Sequence, residues 1–441
     1  MPETDLSDPD LPRLMRRLGL PAMAGLSLNA AHQLTDAAFV GRLGGEALAA
    51  LSLLAPLAGL VAAAGIGLGI GAASCLAREL GAGRPEAARR VAGTALGAAA
   101  GLGLLAAVLL AVFRARILYT LGTPAALFDQ ASALLAVQSL TTCLAILQIA
   151  CDFLAIGRGD ARFSLKTLAL CFGLNIALDP VMIFGLGLGL PGAAWATLAA
   201  QLVTLAAWAG HFAAPARRPL RGSLRHLRRI VAIGLPEAAS VTATTLGLLA
   251  LFAIAAHLGG EQALAGLGIA TRLVFAVALP LEGFAIGVLP VLAHAHGAAD
   301  PARAARTLRL LAGPALRVTV TLALMLALAA GPAARLLTAD PAIAGTAAAA
   351  LRWLAPALPA TALRLAAQVW LQAAIRPRMA ALLGLAPMGW LLWPALAVTV
   401  PVHGAAGLPM AMAIAAFGAA VLAAAVLCRA AFPNRSAGVP A

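Results

Sequence analysis

Long apolar stretches recur along the whole chain, and each is closed by a short cluster of charged residues, glycine or proline. Each stretch runs for roughly 20 to 30 residues, enough for a helix to cross a bilayer. The punctuation divides the chain into about twelve spans. They fall at 14–40, 48–77, 88–112, 127–156, 163–186 and 192–213, then at 229–257, 262–294, 305–329, 343–374, 378–400 and 407–429. The expected fold is therefore an all-α polytopic membrane protein.

The pattern repeats halfway. "GLP" at 19–21 returns at 234–236, and "LGGEALAAL" at 43–51 returns as "LGGEQALAGL" at 258–267. "GAGRPEAARR" at 81–90 returns as "GAADPARAAR" at 297–306. Six spans per half is an even number, so both halves enter the bilayer from the same side and form parallel repeats. The expectation is two pseudo-symmetric six-helix lobes at 14–213 and 229–430, separated by a cleft and able to rock against one another. A tail at 1–13, a basic connector at 214–228 and a second tail at 431–441 complete the division.

Composition agrees with this picture and removes alternatives. The chain has 441 residues, 62% of them hydrophobic and 11% charged, which no soluble domain of that length needs. Aromatic residues make up only 5%, while alanine, leucine and glycine abound, favouring closely packed helices over a β-barrel. The five cysteines have no paired spacing, so neither a disulfide framework nor a zinc site is expected. The net charge of +14 could suggest nucleic acid, but its distribution says otherwise. With the N-terminus inside, 23 Lys and Arg fall at the inner ends of spans and 4 in the outer loops. That bias predicts that both termini are cytoplasmic, and the expected location is the plasma (inner) membrane. The arginines of "RRPLRGSLRHLRR" then belong to the connector, where they can meet anionic lipid.

A few polar groups break the apolar spans. Asn175 and Asp179 lie four residues apart on one face of span 5, with Pro180 directly after the acid. On span 1, Asn29, either His32 or Gln33, and Asp36 follow at helical spacing. Asp36, Asp179 and Thr197 each lie five or six residues from an outer span end, roughly 7–9 Å deep. A buried acid must take up a proton or bind a cation. The repeat sharpens this inference. Leu251 stands where Asp36 maps in the second half, and Pro387 and Leu391 stand for Asn175 and Asp179. The fold of a lobe does not require these acids, so a functional role is indicated. Pro21 can bend span 1. Gln148 and Asp152 on span 4 and Glu282 on span 8 are further candidates for a cavity wall, whereas Glu237 reads as a solvated acid at a helix start.

"LTDAAFVGRLGGEALAALSL" (34–53) and "LNIALDPVMIFGLGLGLPGAAWATLAAQ" (174–201) resemble two signature stretches of the MATE (multidrug and toxin extrusion) transporters. The resemblance spans essentially the whole chain. It implies a secondary antiporter that exports organic compounds in exchange for H⁺ or Na⁺. Asp36, Asn175, Asp179 and Thr197 match the cation site of the branch whose coupling acids lie in the N-terminal lobe, and Pro21 matches a proline bend. Asp152 departs from the family pattern, standing where an asparagine is usual, and Ile156 replaces an arginine. A lipid-linked precursor flippase of related architecture is the alternative; it would need Arg272, Arg317, Arg352 and Arg364 to line a central cleft. The glycine runs at 65–71 and 185–190 follow no strand, and His294 and His296 diverge on a helix, so neither a nucleotide loop nor a metal site is expected. No hydrolase motif is present. The expectation is a monomeric transporter without a cofactor, whose partners are small organic molecules and the bilayer.

Overall fold

The computed structural model describes residues 4–431, and the described residues contain helices and turns but no strand. Part of the expected C-terminal segment, including Arg435, lies outside the described residues. The first half comprises α1 (Leu11–Gly41), α2 (Gly45–Gly81), α3 (Pro85–Val112), the short α4 (Arg114–Thr120), α5 (Ala125–Gly157), α6 (Ala161–Pro180) and α7 (Leu190–Ala213). The second comprises α8 (Leu224–Gly297), α9 (Pro301–Leu328), α10 (Ala330–Arg335), α11 (Pro341–Leu354), α12 (Leu358–Ala373), α13 (Pro377–Gly384), α14 (Leu392–His403) and α15 (Gly407–Ala431). Together they form a two-lobe arrangement of about twelve spans.

α8 is two antiparallel arms rather than one rod. Gly259 and Gly260 leave helical geometry, Gly260 at φ +60° and ψ −153°. This is the second "LGG" of the repeat; at the first, Gly44 sits at φ +117° between α1 and α2. Glycine alone takes these angles without strain. Starts and stops elsewhere follow local chemistry. Asp10, Asp160, Asp300 and Asp340 each accept a backbone N–H of the helix they precede. Pro85, Pro301, Pro341 and Pro377 each open a helix, where the missing N–H costs nothing.

The lobes meet backbone to backbone through glycine. A Cβ on Gly71 would strike the Ile230 carbonyl, and one on Gly234 the Gly67 carbonyl. Gly81 and Gly297 likewise face the carbonyls of His294 and Arg78, and Gly287 packs on Leu18 and Gly19. Each of these approaches lies in the half of its helices nearer the chain termini. Polar bonds reinforce that half. Ser74 Oγ donates to the Gln372 carbonyl at 3.1 Å, and Arg229 on α8 pairs with Glu79 on α2 at 3.1 Å. The lobes are thus closed at the terminal face.

The segment before α1 also spans the lobes. Thr4 N donates to the Gly159 carbonyl of the first lobe, while Arg303 of the second donates to the carbonyls of Leu6 and Asp8, each at 2.8 Å. Leu6, only 4% exposed, enters a cluster with Leu11, Ile70, Phe153, Val288 and Leu292, which come from both lobes. Leu6→Ala is therefore expected to cost about 2–4 kcal/mol. A lowered thermal midpoint of the purified protein measures it, against Leu328→Ala at a 79% exposed position as control. The connector is clamped too: Leu220 N donates to the Arg89 carbonyl and Arg89 Nε to the Arg218 carbonyl.

Candidate functional site

α1 and α6 lie side by side in the first lobe, which brings the expected polar residues together. Asn175 and Asp179 are 1% and 0% exposed, and Asp36 is half-buried across from them. One orientation of the Asn175 amide satisfies both its ends. Its oxygen accepts from Thr197 Oγ1 at 3.0 Å and Thr197 N at 3.1 Å. Its nitrogen then donates to His32 Nδ1 at 3.2 Å and Asp179 Oδ2 at 3.3 Å. Asn175 is thus the hub that joins α1, α6 and α7. Of the two span-1 alternatives it is His32 that joins: its ring stacks on Phe172 at 4.7 Å, while Gln33 is exposed. Asn29 is half-buried on the same helix and does not belong to the Asn175 network.

Two oxygens stand out. Asp36 Oδ1 and Asp179 Oδ1 are buried, and among the described residues neither has a hydrogen-bond partner. The charge of Asp36 acts on Asp179. Two carboxylates that share a site with unanswered oxygens call for a proton or a cation, because leaving both ionised and unpaired in an apolar surround is costly. In this orientation the Asn175 oxygen is taken up by Thr197, and its N–H group supports the Asp179 carboxylate.

The chain near Asp179 is irregular. Pro180 ends α6, and Val181–Gly185 form a π turn, with Leu186 N donating to the Val181 carbonyl at 2.8 Å. The widened turn places Asp179 at a junction where backbone and side chain can both adjust. Pro21, by contrast, sits within α1 without ending it.

Gln148 and Asp152 stand apart from this group. Both are buried between α5 and α6, where Asp152 accepts from Ser164 Oγ at 3.0 Å and Thr167 Oγ1 at 3.4 Å, and Gln148 from Cys171 Sγ at 3.7 Å. In the second lobe the reading of Glu237 as a solvated helix-start acid is overturned. The first turns of α8 lie against α12, and Glu237 Oε2 accepts from Gln372 Nε2 at 2.7 Å and Gln368 Nε2 at 3.2 Å. Gln368 and Gln372 share the i, i+4 spacing that singled out Asn175 and Asp179; the same rule would have found them. Glu282 faces the same region, with Glu237 and Arg364 as its charged neighbours.

The MatE family model matches residues 21–181 and 236–391, one block in each half. The chain belongs to the MatE family. It is 27% identical over 318 residues to "Probable multidrug resistance protein YoeA" of Bacillus subtilis, covering 69% of this chain and 68% of that one. It is also 27% identical to "Multidrug export protein MepA" of Staphylococcus haemolyticus, covering 64% of each chain. This MatE chain thus spans just under two thirds of that relative's length. A solved structure described as the outward-facing conformation of a multidrug resistance MATE family transporter of the MOP superfamily superposes with a TM-score of 0.90. The identity there is 25%, over 98% of this chain and 99% of that one. Family and fold mark a transporter, not an enzyme.

Proposed function

We propose that this MatE protein is a secondary antiporter that exports organic, cationic or amphiphilic compounds in exchange for H⁺ or Na⁺. The carrying observation is the pair of buried, unpartnered oxygens on Asp36 and Asp179, with Asp179 joined to Thr197 and His32 through Asn175. An inward ion gradient loads this pair from the far face. Loading answers the two carboxylates, changes the packing of α1 on α6, and biases the lobe equilibrium. Antiport follows if the ion and the exported compound prefer the same two states in opposite order. The site belongs to the branch of the family with its coupling acids in the first lobe. The bias of 23 to 4 basic residues supports cytoplasmic termini in the plasma membrane. Closure at the terminal face then makes this conformation outward-facing, in keeping with the outward-facing relative. The protein works as a monomer, and its coupling ion is its only inorganic partner.

The flippase alternative is disfavoured by charge. Arg364, one of the four arginines it needs, shares its surroundings with Glu237 and Glu282, which repel a pyrophosphate.

Proteoliposomes with separately imposed proton and sodium gradients test the proposal. Efflux of a fluorescent organic cation is expected to follow one gradient, and the responding gradient names the ion. Flux that ignores both gradients overturns antiport.

A further inference from the structure

The second lobe has a groove of about 340 Å³ at the end nearer the chain termini, away from the coupling site. α13 and α15 both pack on α12 and leave the groove between them. Its mouth carries Arg376, Arg429 and His296, and its apolar floor Leu382, Leu422 and Val426. We propose that this groove binds an anionic phospholipid of the leaflet on the side of the termini, with the phosphate at the mouth and an acyl chain along the floor.

Depth carries the first part of the case. Arg376 is the residue before α13, and Arg429 lies in the last turn of α15. Leu383 follows Arg376 by seven residues and Leu422 precedes Arg429 by seven, so the apolar lining reaches roughly 10 Å below the charged ends. Met379 and Leu382 of α13 are 43% and 45% exposed, which makes the open side of the groove apolar as well. Charge at the membrane surface with an apolar slot beneath it has the polarity of a phospholipid, headgroup above and chain below.

Charge carries the second part. No carboxylate lines the groove, and among the described residues neither Arg376 nor Arg429 has an ion-pair partner. Two guanidinium groups at one mouth repel each other, and an anion between them answers both. Basic pockets between membrane helices at headgroup level suit anionic lipid for this reason. His296 adds a polar nitrogen behind the mouth. Its Nε2 is buried without a hydrogen-bond partner, and its ring meets Trp370 edge to face at 4.9 Å.

The internal repeat carries the third part. Asp160 stands before α6 as Arg376 stands before α13, at an offset of 216, which is that of "GAGRPEAARR". Arg217 stands for Arg429 at an offset of 212, which relates "PGAAWA" (191–196) to "HGAAGL" (403–408). In the first lobe the two residues are acid and base, and Arg217 pairs with Asp160 at 3.8 Å. In the second lobe the acid is replaced by an arginine, so two like charges stand where the other half has a pair. The scaffold does not ask for both arginines. A negatively charged third group does, and an anionic lipid supplies it from the bilayer.

Native mass spectrometry of the purified full chain, titrated with dioleoyl phosphatidylglycerol or dioleoyl phosphatidylcholine, is the test. The anionic lipid is expected to bind about tenfold or more tightly than the zwitterionic one. Arg376→Gln combined with Arg429→Gln is expected to lower affinity for phosphatidylglycerol about tenfold. Arg378→Gln, which removes a charge from α13 at a position that does not line the groove, is expected to leave it unchanged. Ala425→Trp, which fills the groove and keeps its charges, is expected to lower affinity for both lipids. Glycerol 3-phosphate, a headgroup without chains, is expected to bind at least about tenfold more weakly than phosphatidylglycerol. Thermal melting of each variant separates lost binding from lost folding. Equal affinity for the two lipids overturns the assignment, as does wild-type affinity for phosphatidylglycerol in a folded double variant or a folded Ala425→Trp. Glycerol 3-phosphate that binds as tightly as the lipid overturns it too, and makes the mouth a site for free phosphate. The assignment stands or falls independently of the gradient that drives efflux.

Discussion

Asp36→Asn is expected to uncouple transport from the ion gradient while leaving the protein folded. The substitution keeps the shape and half-buried position of the side chain and removes one of two facing carboxylates. The remaining acid, Asp179, still has the Asn175 amide at 3.3 Å, so the polar hub survives. What disappears is the shared demand for a proton or cation. Linkage between two sites is typically about 1–3 kcal/mol, or 5- to 150-fold, and the gradient-driven component of efflux should fall by that order. Counterflow, which needs only exchange of labelled for unlabelled cargo, should persist. Efflux at full rate under the same gradient in Asp36→Asn removes this residue from the coupling site. Thr197→Ala should act in the same direction but less, since it deletes a neutral partner and leaves both charges in place.

Gly71→Val is expected to drive the lobes out of their present arrangement. A Cβ at Gly71 meets the Ile230 carbonyl, and a backbone carbonyl inside a helix has little room to yield. Overpacking of this kind costs about 3 kcal/mol, roughly a hundredfold in population. The cost falls on the state closed at the terminal face, because the contact exists only while α2 and α8 touch. Cysteines introduced at that face should become accessible to a membrane-impermeant thiol reagent from the side of the termini, and transport should fall. Gly101→Val is the control, since a Cβ there meets open space. Unchanged accessibility in a folded Gly71→Val protein shows that the contact does not hold the terminal face shut.

The two predictions draw on differently legible parts of the molecule. The spans were readable because the bilayer imposes a length on each helix and charge marks its ends. The break at Gly259–Gly260 was readable for a related reason: it repeats the "LGG" that separates α1 from α2. Asn175 and Asp179 announced themselves by spacing, and the missing counterparts Pro387 and Leu391 argued for function. Glu237 was misread. Its position near a helix start suggested water, but its partners Gln368 and Gln372 come from a helix more than 130 residues away. The choice of His32 over Gln33 is likewise beyond the sequence, since both suit the helical stripe and only their neighbours in space, Phe172 and Asn175, separate them.

The amino-acid order carried the membrane class, the twofold repeat, the even number of spans per half and the depth of the acids. These are properties of one dimension: run length, period, charge bias and distance from a span end. Folding in three dimensions decided which polar groups touch, that Asn175 is the hub, and that the lobes close at the face bearing the termini. It also decided that Ile66 of one lobe walls a cavity of the other. Such contacts depend on the rotation of each helix about its axis and on how near its neighbour can come. In this chain that nearness rests on glycines whose partners lie in the other half of the sequence.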